Sequence, residues 1–161
     1  MPIEKSAGAV VFYKSGKPRT TKHFLRKVLG VRGKKIEYLL LHHELGHWDF
    51  PKGWIERREK LEETAKREIG EETGIKDIEF IPGFKEHIKY FFKWEGKNIF
   101  KIVTFFLAET KAQDVVLSFE HIGYKWLPYE EALKQLTHKD VKEVLKKAHQ
   151  FIKNKELVQR L

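Results

Sequence analysis

The chain has 161 residues, 41% of them hydrophobic and 34% charged, and carries a formal net charge of +9. That length fits one domain with a sizeable core, and the absence of cysteine excludes disulfides, thiol catalysis and thiolate metal sites. No apolar run reaches the ~20 residues of a membrane span, and Met1-Pro2-Ile3-Glu4-Lys5 lacks the basic-then-apolar layout of a secretion signal, so a cytoplasmic protein is expected.

Ala7 to Tyr13 is small and apolar and reads as a buried strand. Residues 14–35 then hold nine Lys or Arg and no acid, punctuated by Gly16, Pro18, Gly30 and Gly33. This is a basic insertion, either a solvated loop or a contact for RNA. Ile36 to Leu41 resumes as a strand, and Leu45 to Gly53, with Gly46, Pro51 and Gly53, reads as a loop. Arg58 to Thr73 is a helix with the stripe Leu61, Ala65, Ile69 and a C-cap glycine at Gly74. Phe84 to Trp94 alternates with period two, apart from Glu86 and Phe91. Glu95-Gly96 turns the chain, and Ile99 to Ala108 returns as the second arm of a hairpin. Ile122 to Leu127 is a further strand, and Pro128 opens a helical tail. Val141, Val144, Leu145, Ala148, Phe151 and Ile152 follow the helical spacing of one face of that tail, with Thr137 and Asp140 expected to cap its second part. The order implies a single α/β domain over 1–161, a mixed sheet covered on both faces.

The chemistry concentrates between Gly53 and Ile75. Gly53 is followed by Glu59, then Arg67-Glu68-Ile69, Glu71-Glu72 and Gly74-Ile75. Glu68, Glu71 and Glu72 stand at i, i+3 and i+4, so three carboxylates share one helix face and repel one another. A divalent cation relieves that repulsion. Magnesium and manganese take oxygen ligands and keep waters, and such a centre can activate water and neutralise phosphate oxygens. Three clustered Glu alone are more often a solvated face. The whole pattern is a different matter, since ordinary residue frequencies would produce it in a chain this long about once in a million.

Gly53 to Ile75 resembles the Nudix box at every specified position. The resemblance implies a Nudix-type α/β/α sandwich with a loop–helix–loop catalytic motif and Mg²⁺ or Mn²⁺ as cofactor. It implies Glu68, Glu71 and Glu72 as metal carboxylates, with Glu68 and Glu72 the direct ligands, and Arg67 orienting Glu68. The general base is Glu68 or a carboxylate outside the box. Glu59 belongs to the catalytic set as a fixed position of the box, and Gly53 marks where metal approaches the backbone. Ser6 to Phe12, His47 to Gly53, Lys101 to Glu109, Phe119 to Leu127 and Ala148 to Phe151 are similar to the diadenosine tetraphosphate hydrolase branch. By that resemblance Glu120 adds a metal ligand, more strongly indicated than His121 beside it. His47 contacts phosphate or acts as an acid, Lys52 and Lys101 contact the polyphosphate, and Tyr90 and Tyr124 stack on adenine; Gly123 beside Tyr124 departs from the branch and could alter how that ring sits. The implied reaction is asymmetric hydrolysis of diadenosine tetraphosphate to ATP and AMP. The alternatives are triphosphorylated or capped RNA or another nucleoside diphosphate derivative as substrate, or a non-catalytic binding module. The sequence is silent on oligomeric state.

Overall fold

A computed structural model describes residues 1–15, 35–159 and 161. The strands are β1 (Ile3–Ser15), β2 (Lys35–His43), β3 (Trp48–Asp49), β4 (Lys52–Trp54), β5 (Glu79–Phe80), β6 (Glu86–Trp94), β7 (Lys97–Glu109) and β8 (His121–Pro128). The helices are α1 (Leu61–Thr73), α2 (Tyr129–Gln135) and α3 (Lys139–Gln159). All strands join one mixed sheet, in which β1 runs parallel to β7 and antiparallel to β2 and β4. β6 lies antiparallel to β7, and β8 antiparallel to β2.

Alternation along the strands divides the core in two. Val10, Phe12, Tyr38, Leu40, Val103, Phe105 and Leu107 face α2 and α3, meeting Leu136, Val141, Leu145 and Ile152. Their chain neighbours Ala9, Val11, Leu39, Leu41, Phe106 and Ala108 face α1, meeting Ala65 and Ile69. The sheet is therefore sandwiched between helical layers, as the box resemblance implies. Small side chains at Ala7 and Ala9 allow α1 to approach closely.

The expected elements are present with shifted limits. α1 begins at Leu61 rather than Arg58, because Arg58 holds a left-handed φ of 70° that a right-handed helix cannot include. Gly74 is the left-handed C-cap, its N–H donating to the Gly70 carbonyl. The segment expected as a loop over 45–53 contains β3 and most of β4, short strands held by main-chain bonds to β2 and β1. β5, only two residues long, carries no alternation to read. In β6 the even positions up to Phe92 face inward, so Glu86 is partly covered and Phe91 is exposed, while Trp94 at the end is exposed. Glu95 and Gly96 both adopt positive φ, the two-residue turn that suits a twisted hairpin. Thr137 does not serve as the expected cap: its hydroxyl accepts the Trp48 N–H at 2.8 Å, tying α3 to β3. The basic insertion lies outside the described residues except for Lys14, Ser15 and Lys35, which are strand residues paired across β1 and β2. Among the described residues no helix is long and apolar enough to cross a membrane.

Candidate active site

α1 presents its acidic turn toward β4. Arg67 organises that turn. Its Nε donates to Glu59 at 2.7 Å, Nη1 to Glu68 at 2.8 Å and Glu71 at 3.1 Å, and Nη2 to the Trp54 carbonyl at 2.8 Å. Arg67 thus ties Glu68 to the chain entering the helix. Glu59, which accepts the Glu56 N–H and the Thr64 hydroxyl as well, is held down to about 2, chiefly by its bond to Arg67. Its contacts make it a positioning residue.

Two glycines permit the crossing of α1, β4 and β1. A side chain at Gly53 would occupy the space of the Glu68 carboxylate, and one at Gly8 would strike the Pro51 carbonyl and Lys52. No residue with a Cβ fits either place without a shift.

The three box carboxylates are not equivalent. Glu71 is largely exposed and rests on Arg67, and Glu68 is mostly covered between Arg67 and Gly53. Burial raises the Glu68 pKa above its ordinary value against the pull of Arg67, with Glu71 and Glu120 adding to the rise. Glu72 is only 5% exposed, and its Oε2 accepts the Lys52 N–H at 3.3 Å. Burial, reinforced by Glu68, pushes its carboxyl up to about 9, so without a cation it holds its proton at neutral pH.

The turn before β8 comes to Glu72 from outside the box. Val116 N–H and Ser118 N–H donate to the Thr73 and Glu72 carbonyls, closing the end of α1, and Glu44 N–H donates to the Glu120 carbonyl. Donor atoms of Glu72, Glu120 and His121 consequently lie within 4.8 Å of one another, the only such three-residue group among the described residues. Two carboxylates, one of them the buried Glu72, and an imidazole fit a divalent cation.

A second feature opens on the other face of the sheet. His47, Asp49, Lys52, Ile88, Tyr90 and the start of α3 line a cavity of about 410 Å³. The Lys52 ammonium stands 3.6 Å from Asp49. Burial acts to lower its pKa, but Asp49, Tyr90 and Glu72 outweigh that and hold it above the ordinary value. Burial lowers the His47 pKa against the pull of Asp49. Lys101 pairs with Tyr90 across β6 and β7, with its ammonium 5.9 Å from the Trp54 ring centroid.

The two tyrosines expected to stack on adenine lie on opposite faces of the sheet. Tyr90 packs on the side of α2 and α3. Tyr124 is the register partner of Leu41, which faces α1, and it is 42% exposed. The strand alternation that separates the two cores separates these rings. His138, Lys139 and Asp140 lie on the cavity in its place. Sequence reasoning missed these three and Asp49; the nearest signal was Asp49 three residues before Lys52 in a segment read as loop.

A buried carboxylate on a helix crossed by glycine, linked through Lys52 to a cavity on the other face of the sheet, is suited to a metal ion and a phosphate chain. Comparison with known proteins points the same way. The chain is 41% identical to the asymmetrical bis(5'-nucleosyl)-tetraphosphatase of Sus scrofa over 133 residues, which is 79% of this chain and 88% of that one. It is 31% identical to the corresponding protein of Caenorhabditis elegans, over 93% of this chain and 97% of that one. The crystal structure of a C. elegans Ap4A hydrolase binary complex superimposes with a TM-score of 0.73 at 29% identity, covering 94% of this chain and 98% of that one. The NUDIX domain model matches residues 20–148, so the box, the sandwich and the α1 site are those of a hydrolase that belongs to the NUDIX family.

Proposed function

We propose that this hydrolase cleaves dinucleoside tetraphosphates asymmetrically, diadenosine tetraphosphate to ATP and AMP. The names of its relatives support the substrate. The observation that carries the reading in this molecule is the placement of Lys52, whose amide meets Glu72 while its ammonium enters the cavity of Tyr90. One residue thus links the acidic turn to a chamber of nucleotide size.

Mg²⁺ or Mn²⁺, held by Glu72 and Glu120 with Glu68 and Glu71 beside them, would supply charge neutralisation and an activated water. The protein's own groups do the rest. Arg67 fixes Glu68, and the water's proton passes to a carboxylate of this group, Glu68 or Glu120. Lys52 and Lys101 offset charge on the phosphate chain, His47 hydrogen-bonds a phosphate oxygen, and Tyr90 stacks on one base. Positioning and electrostatics supply most of the rate.

The test is turnover with Mg²⁺ of diadenosine tetraphosphate beside diadenosine triphosphate, nucleoside triphosphates, ADP-ribose and 5'-triphosphorylated RNA. ATP and AMP released fastest from the tetraphosphate is the expected result. Faster turnover of RNA or of another compound would refute the substrate.

A further inference from the structure

Glu68 and Glu71 each give one carboxylate oxygen to Arg67, whereas the donor atoms that converge are those of Glu72, Glu120 and His121. We infer that His121 is a direct ligand of the metal centre, giving it an imidazole beside the carboxylates and a preference for later divalent cations such as Co²⁺ over Mg²⁺. The proposal rests on the reading of Glu72 and Glu120 as metal ligands.

Three observations support it. First, the ring is within chelating distance of both carboxylates. Second, its Nδ1 lies 3.4 Å from the Ser118 hydroxyl. A proton donated there leaves Nε2 with the lone pair a metal requires, the arrangement by which ligating histidines are oriented. Third, the turn that carries His121 is tied down: its N–H donates to the Ser118 carbonyl, and Ser118 N–H donates to the Glu72 carbonyl. The His43 ring meets the His121 ring edge-on at 5.6 Å and restricts its rotation. The imidazole is thus held against α1 before any cation arrives. Imidazole favours later divalent metals, while Mg²⁺ favours oxygen.

The first experiment uses wild-type protein loaded with one equivalent of Mn²⁺ and pulsed electron paramagnetic resonance. A ¹⁴N coupling of directly bound imidazole is expected, and it should vanish in His121→Ala. The second is titration of wild type and His121→Ala with Co²⁺ and with Mg²⁺. His121→Ala should weaken Co²⁺ by on the order of 10–100-fold and Mg²⁺ by less than about threefold. Ser118→Ala, which keeps the ring, should weaken Co²⁺ by a smaller factor. Mn²⁺ bound without nitrogen coupling, or equal losses for the two cations, would overturn the imidazole ligand and leave the carboxylate reading standing. Failure of wild type to bind Mn²⁺ at all would overturn both.

Discussion

The two faces of the sheet carry different chemistry, and Lys52 spans them. On the α1 face the groups are carboxylates whose proton affinity is raised by burial and mutual repulsion. On the α3 face they are Lys52, His47 and Tyr90 around a chamber. Under the proposed function the two faces divide the labour: one assembles the reaction centre, and the other holds the substrate. Predictions for single substitutions separate the two.

The largest effect is expected for Glu72→Gln, which keeps the shape of a buried side chain but removes its charge. Turnover should fall by on the order of 10²–10³-fold or more, read in steady-state kinetics at saturating Mg²⁺. Gly53→Ala comes next, because its Cβ enters the space of Glu68. A loss of about 1–3 kcal/mol in denaturant unfolding is expected, with activity reduced further because Glu68 must move. On the other face, Tyr90→Ala should raise KM by about tenfold with a smaller change in kcat, since one base loses its stacking partner. Tyr124→Ala, on the α1 side and exposed, should leave KM within about twofold, surface changes of this kind having small effects. Equal KM losses for the two tyrosines would erase the distinction between the faces.

A pH series sharpens the same contrast. Glu72 holds its proton up to about pH 9, and a cation must displace it. Mn²⁺ affinity should therefore rise with pH, by about tenfold per unit between roughly pH 6 and 8 if one proton is released. The stability effect follows the same sign. A carboxyl whose folded pKa is raised stabilises the metal-free fold below its ordinary value of 4.5, and that contribution is lost as pH rises toward about 9. Thermal melting in EDTA should show the decline, and added Mn²⁺ should offset it more at the higher pH.

Much of this was legible in the sequence, unevenly. The spacing of Glu68, Glu71 and Glu72 and the Gly74 cap report local helix geometry, which the chain fixes within a few residues. β3 and β4 were not legible, because their order comes from β1 and β2 rather than from their own two or three residues. The tyrosines show the same limit. Tyr90 and Tyr124 lie on strands of different register, and sequence motifs do not reveal which face each takes. Asp49 and His138 enter the cavity only once β3 is tied to Thr137. The convergence of Glu120 on Glu72 likewise depends on main-chain bonds between segments far apart in sequence.

The most direct test of the division of labour is calorimetric titration of diadenosine tetraphosphate into Glu72→Gln, compared with the same titration into Tyr90→Ala. The account predicts that Glu72→Gln, which does not turn the nucleotide over, binds it within a few-fold of the wild-type affinity, while Tyr90→Ala binds it about tenfold more weakly. Loss of binding in Glu72→Gln together with retained binding in Tyr90→Ala would contradict it.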